Sequence, residues 1–166
     1  MTQSLLTIRT ARPEDAALVF EFIRGIAEYE KLTHELVATE QDIRAALSGD
    51  QPRVEVLLAD WAGQPAAFAL FFHNFSTFVG RRGLYLEDLY VKPEFRAKGI
   101  GKRLLLELVR LARDRKCGRM EWVALDWNQP AIDFYDKLGA KQLNEWIMFR
   151  LSEEQIQKLA RDAATP

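Results

Sequence analysis

LYLEDLYVKPEFRAKGIGKRLLLELVRL, residues 84–111, reads as a strand, a basic turn with two glycines, and a helix. Residues 84–91 are mostly aliphatic and aromatic, as a buried strand requires. Pro93 ends the run, because its nitrogen cannot donate to a ladder. From Lys102 the apolar period becomes helical, with Leu104, Leu105, Leu108, Leu111 and Ala112 on one face. Between them lies Arg96-Ala97-Lys98-Gly99-Ile100-Gly101. The first amides of a helix have no partner inside it and sit at the positive end of its dipole. Gly99 and Gly101 let a ligand approach the backbone, so a phosphate or pyrophosphate is the natural guest. The alternative is an ordinary tight turn that caps a helix. A P-loop is excluded, since Arg96 stands at its first glycine and Arg103 at its Ser/Thr. A Rossmann turn is excluded because Leu104 replaces its third glycine.

With 166 residues the chain is expected to be one domain, residues 1–166, with a substantial core. Its 48% hydrophobic and 28% charged residues are those of a globular protein. No apolar run reaches the length of a membrane span, and the first residues lack a secretory pattern. Cys117 stands alone, so no intrachain disulfide forms, and cytoplasmic localisation is expected. With Cys117, His34 and His73 in no ligand spacing, no metal site is expected. The net charge of −1 hides a segregation. Residues 92–119 carry ten Lys or Arg against Glu94, Glu107 and Asp114. Residues 28–42 carry Glu28, Glu30, Glu35, Glu40 and Asp42 against Lys31. The basic segment has no interleaved aromatic platform, which argues against nucleic acid.

Around the central stretch, residues 5–10 read as an edge strand. A helix starts at Pro13 and presents Leu18, Phe22, Ile26 and Tyr29 on one face. A short helix covers 40–47, and strands at 54–58 and 67–72 meet around Ala62-Gly63. A strand over 120–125 precedes a helix capped by Asn128 and closed by Gly139. A strand over 140–149 closes the sheet, and Ser152 with Gln155 forms a capping box for a last helix. A meander followed by strand-helix-strand implies an α/β (α+β) fold with a mixed sheet and helices on both faces.

Arg96-x-x-Gly99-x-Gly101 resembles the coenzyme A pyrophosphate loop of the GNAT acetyltransferases. Leu84-Tyr85-Leu86-Glu87-Asp88, Ala27-Glu28-Tyr29-Glu30 and the run from Trp127-Asn128 to Phe134-Tyr135 are similar to the diamine (spermidine/spermine) N-acetyltransferases within that superfamily. The similarity extends over residues 8–149. It implies a mostly antiparallel sheet whose fourth and fifth strands, 84–91 and 120–125, splay apart around the pantetheine arm. It implies acetyl-CoA as co-substrate, a small amine acceptor and a homodimer, while composition and charge, as above, lead us to expect no metal, nucleic acid or membrane partner. Two features depart from the diamine pattern: Gln129 stands where those enzymes carry Glu, and the segment 139–146 is shorter.

Acetylating an amine requires a base, a bound thioester and an acid for the leaving thiolate. Glu87 and Asp88 are the candidate carboxylates. Strand alternation places Glu87 with Tyr85, Leu89 and Val91, and Asp88 with Leu86 and Tyr90, unless a bulge intervenes. The resemblance favours Glu87 as base and makes Tyr135 the proton donor; on its own Tyr135 reads as a core aromatic. The resemblance further implies that Leu89, Tyr90, Val91, Arg96, Ala97, Lys98, Gly99, Ile100, Gly101, Lys102, Asn128, Pro130, Ala131 and Phe134 bind the cofactor. It assigns Tyr29, Glu30, Glu87, Asp88, Glu121, Trp122, Asp126 and Glu145 to the acceptor, while Trp122 read alone is a core residue. A non-catalytic acyl-CoA-binding regulator and a protein acetyltransferase are the rival readings on the same fold.

Overall fold

The strand at the centre of the sequence forms, and it starts before its apolar run. In the computed structural model, which describes residues 5–163, β4 (Arg81–Val91) pairs antiparallel with β3 (Gln64–Ser76). β3 pairs antiparallel with β2 (Glu55–Trp61), and β2 with β1 (Leu6–Thr10). The first residues, read above for a secretory pattern, lie partly outside the described range. β5 (Met120–Glu121) joins the free edge of β4 in parallel, through Leu84↔Met120 and Tyr85↔Glu121 alone. The sheet is therefore mixed and mostly antiparallel, in the order β1-β2-β3-β4-β5. β4 and β5 part after two residues, the splay that the resemblance implies. The chain divides into two compact units, one ending at Val123 and the other beginning at Ala124.

Helices cover both faces of the sheet in the first unit. α1 (Ala16–Glu30) and α2 (Glu40–Leu47) bury Val19, Phe22 and Leu47 against Val56, Leu58, Phe68 and Leu70. The Phe22 and Phe68 rings stack with centroids 5.2 Å apart. Each such side chain contributes about 1.5–3 kcal/mol by leaving water. α3 (Ile100–Asp114) takes the opposite face with Ile100, Leu104, Leu105 and Leu108. The alternate β3 residues Ala67, Ala69 and Phe71 are buried on that side. β3 is thus apolar on both faces, because both faces are covered. The β2–β3 loop is Ala62-Gly63, with φ of 51° and 79°, the left-handed pair that a tight hairpin needs.

Three element boundaries differ from expectation. α3 starts at Ile100 rather than Lys102, because Gly99 takes a left-handed φ of 77° and turns the chain into the helix there. The strand expected over 120–125 stops at Glu121, where its pairing with β4 stops. The strand expected over 140–149 does not form among the described residues. A turn at Asn144-Glu145 interrupts it, and Trp146, Ile147, Met148 and Phe149 are exposed without a ladder partner. Apolar residues alone do not make a strand without a neighbour to bond.

In the second unit, α4 (Gln129–Lys137) is capped by Asn128 and closed by Gly139 at φ 83°. α5 (Glu153–Ala163) begins with the expected box: the Ser152 amide donates to Gln155 Oε1 at 2.8 Å, and the Gln155 amide to Ser152 Oγ at 3.3 Å. No helix among the described residues is long and apolar enough to cross a membrane.

Candidate active site

In the turn between β4 and α3 the Phe95 and Arg96 amides donate back to the Lys92 and Pro93 carbonyls, and the chain then turns sharply into α3. Ala97 and Gly99 both adopt left-handed φ, 60° and 77°. Left-handed Ala97 costs roughly 1–2 kcal/mol, and strain of that kind collects at ligand sites. The first α3 amide bonded to the preceding backbone is that of Arg103, which donates to the Gly99 carbonyl at 3.1 Å. The amides of Ile100, Gly101 and Lys102 precede it and have no partner inside the helix. A Cβ on Gly99 would meet nothing within 4 Å, so Gly99 is there for its φ. A Cβ on Gly101 would touch Val91 Cγ2 at 3.5 Å, an ordinary contact. Arg96, Lys98, Lys102 and Arg103 surround these amides in sequence. Arg96 lies over the Tyr29 and Tyr90 rings, and Lys98 over the Trp61 ring at 5.8 Å.

A bulge decides how the two strand carboxylates are aimed. Leu70 faces Asp88 and Phe71 faces Leu86, so Glu87 is the extra residue of β4 with no partner on β3. The alternation predicted from sequence is corrected as a result. Tyr85, Asp88 and Tyr90 share the α1 face, opposite Phe72, Leu70 and Phe68. Leu84, Leu86, Leu89 and Val91 share the α3 face. Ring contacts agree: Phe72–Tyr85 at 5.1 Å and Phe22–Tyr90 at 6.4 Å. Glu87 is exposed and Asp88 largely buried. Burial first, then the charges of Glu87 and Glu30, push the Asp88 carboxyl up to about 7. Burial likewise raises the Glu30 carboxyl. The end of α1 and the bulge of β4 thus gather Glu30, Glu87 and Asp88.

Other predicted residues are engaged differently. Glu121 accepts from Asn74 Nδ2 at 3.1 Å and pairs with Arg119 at 2.9 Å. Trp122 is half-buried. Leu89, Tyr90 and Val91 lie on the stretch of β4 that β5 leaves unpaired. Gly25, in the middle of α1, was not singled out by sequence. A Cβ there would sit 2.9 Å from the Tyr90 ring, so its absence lets the ring lie against the helix. The available signal was a glycine inside an apolar helical pattern. Beside it, Glu21, Arg24, Glu28, Tyr90, Lys92 and Glu94 line a cleft of ≈ 370 Å³. Among the described residues, no group of three His, Cys, Asp or Glu is placed to hold a metal ion.

The second unit carries Asp126, Asn128, Pro130, Ala131, Phe134, Tyr135 and Glu145. Asn128 Oδ1 accepts from the Ala131 amide at 3.4 Å and starts α4, with Pro130 in the first turn. Gln129 Nε2 donates to Asp133 Oδ1 at 2.6 Å. The Phe134 and Tyr135 rings lie 5.2 Å apart. Burial pushes the Tyr135 phenol up to about 12, so it holds its proton at neutral pH. Asp126 and Glu145 are exposed.

Comparison with known proteins identifies the family. The profile of the family described as "Acetyltransferase (GNAT) family" matches residues 19–140. Bovine (Bos taurus) thialysine N-epsilon-acetyltransferase is 35% identical over 95% of this chain and 98% of its own. Arabidopsis thaliana L-ornithine N5-acetyltransferase is 29% identical over 92% of this chain and 86% of its own. The human spermidine/spermine N(1)-acetyltransferase-like protein 1 is 28% identical over 92% of this chain, which spans 23% of that protein. Among solved structures, an integron cassette protein of V. cholerae superposes with a TM-score of 0.78 at 27% identity, covering 96% of this chain and 99% of the other. With a family profile matched over most of its length and relatives that cover it nearly end to end, the chain belongs to the GNAT family of N-acetyltransferases.

Proposed function

We propose that residues 1–166 act as one domain that transfers the acetyl group of acetyl-CoA to a primary amine of a small cationic acceptor: a diamine, a polyamine or a lysine analogue. The observation that carries this reading is the junction of β4 with α3. Within one short stretch it offers helix-start amides with no partner inside the helix for a diphosphate, a strand edge that β5 leaves without a ladder for an extended arm, and a bulged carboxylate pair. The residues 96–102 take the diphosphate, and the Leu89, Tyr90 and Val91 backbone takes the pantetheine arm.

A primary ammonium has a pKa near 10.4, so its neutral form costs about 4–5 kcal/mol at pH 7. Exposed Glu87 attracts the ammonium, and Asp88, whose proton affinity is balanced near neutrality, exchanges the proton. The freed nitrogen attacks the thioester carbonyl carbon and a C–N bond forms. The C–S bond then breaks, the thiolate takes the proton of the Tyr135 hydroxyl, and the nitrogen gives up its second proton through solvent, which restores the phenol and leaves the neutral amide. Asn128, Pro130, Ala131 and Phe134 fix the start of α4 and the ring of Tyr135. Names of relatives, acting on thialysine Nε and ornithine N5, support an acceptor whose reacting amine ends a short chain. Its second cationic group lies against Glu30, with Asp126, Glu145, Glu121 and Trp122 as further acceptor residues. We propose a homodimer in the cytoplasm, on the resemblance alone; light scattering at one chain mass would reject the dimer.

The test follows free thiol with acetyl-CoA and matched pairs of acceptors. A diamine should show a much higher kcat/KM than the monoamine of equal length, and Glu30→Gln should close most of that gap. Equal rates for both would remove the dicationic acceptor and leave the acetyltransferase reading standing.

A further inference from the structure

Arg96 does not project from its turn. Its guanidinium carbon lies 5.0 Å from the Tyr29 ring centroid and 5.8 Å from that of Tyr90. Its Nε donates to the Val91 carbonyl at 3.1 Å. The guanidinium thus lies over two rings with one N–H held, while its two terminal nitrogens make no hydrogen bond among the described residues. Those nitrogens form the fork that suits a pair of phosphate oxygens.

The two rings are anchored on different elements. Tyr90 belongs to β4 and packs on Phe22 and on the bare backbone of Gly25. Tyr29 lies in the last turn of α1, one residue before Glu30. Lys31 follows with a left-handed φ of 60°, and its amide donates to the Ala27 and Glu28 carbonyls, which fixes that last turn. The end of α1 is thereby a rigid mount for the Tyr29 ring.

We infer that Tyr29 is a positioning residue for the donor: with Tyr90 it holds Arg96 with its terminal nitrogens presented to the coenzyme A diphosphate. The resemblance assigns Tyr29 to the acceptor; the stack assigns it to the donor loop. The inference rests on the proposed coenzyme A role of residues 96–102. A preorganised arginine loses less freedom on binding than one that must first be ordered, so the stack raises affinity without touching the ligand. It also joins the donor loop, through one turn of helix, to the Glu30 carboxylate.

The experiment is calorimetric titration with coenzyme A of the wild type, Tyr29→Leu, Tyr29→Phe, Arg96→Ala and Arg96→Ala/Tyr29→Leu. Tyr29→Leu should weaken binding roughly 2- to 5-fold, the range of an exposed cation–π contact. Tyr29→Phe keeps the ring and should stay near wild type. In the Arg96→Ala background Tyr29→Leu should add almost nothing, since contacting residues are not additive. The KM of the acceptor at saturating acetyl-CoA should hardly move in Tyr29→Leu. Should that variant fail to fold, Tyr29→Gln takes its place. Unchanged coenzyme A affinity in Tyr29→Leu, or the same loss in both backgrounds, overturns the inference while the loop assignment stands. Unchanged affinity in Arg96→Ala removes Arg96 from the site and the inference with it.

Discussion

Asp88→Asn should make the protein more stable above neutral pH and should change how its stability varies with pH. The folded protein holds the Asp88 carboxyl at about 7, against an ordinary 3.8. The raised value means that the native state binds this proton more tightly than the unfolded chain does. The group is neutral in both states below pH about 4 and carries no penalty there. As pH rises from about 4 to 7 the unfolded chain ionises first, and native stability falls. Above about 7 the whole cost is present, on the order of 4 kcal/mol for about three pKa units. Between about pH 5 and 8.5 the change attributable to this one group is roughly 3 kcal/mol. Asparagine has nearly the same shape and no charge, so the variant should lack that component. Urea unfolding of both proteins at a series of pH values measures the difference. The gap should be about 1–2 kcal/mol near pH 5 and widen to about 4 kcal/mol in favour of Asp88→Asn towards pH 8.5. Parallel stability curves for the two proteins would show that Asp88 is not a buried carboxyl, and its proposed part in proton exchange would go with it. The same group predicts a kcat/KM that rises with pH through about 7, because the proton acceptor must be ionised.

Tyr135→Phe removes one hydroxyl and should lower turnover by a factor on the order of 10²–10⁴. Acetyl-CoA affinity should persist, and stopped-flow thiol release would show the loss directly. Gly25→Ala places a Cβ 2.9 Å from the Tyr90 ring, which packing holds in place. It should cost about 1–3 kcal/mol, read as a lowered Tm. Gly99→Ala meets no atom but must keep a φ of 77°, so it should destabilise by about 1 kcal/mol and loosen coenzyme A binding in titration calorimetry.

The parts of the fold that could be read from the sequence were those with a local physical cause. Gly99 and the apolar period of α3 announce the strand-turn-helix unit because both act within a few residues. The Ser152–Gln155 box and the Asn128 cap are local for the same reason. The bulge at Glu87 was not legible: nothing in Leu86-Glu87-Asp88 says which residue β3 leaves unpaired. That one-residue shift moves Asp88 onto the face of Tyr85 and Tyr90, and with it the electrostatics of the site. The contact of Gly25 with Tyr90 joins two elements far apart in sequence, and a sequence shows only the missing Cβ. Residues 140–149 illustrate the opposite error. Their apolar content suggests a strand, but a strand is a property of two chains of hydrogen-bonding groups, and the described residues supply only one. Of the site, the donor loop was legible from its motif; Arg96's place over the Tyr29 and Tyr90 rings required the fold.

The proposed reaction is acetyl transfer from acetyl-CoA to the terminal amine of a small dicationic acceptor. The most direct measurement incubates the protein with isotopically labelled acetyl-CoA and a lysine analogue, then identifies the product by mass spectrometry. The product should carry one labelled acetyl group on the terminal nitrogen, with one free coenzyme A thiol per product and near-complete loss of both in Tyr135→Phe. Coenzyme A binding with no labelled amine from any diamine, polyamine or lysine analogue would contradict it.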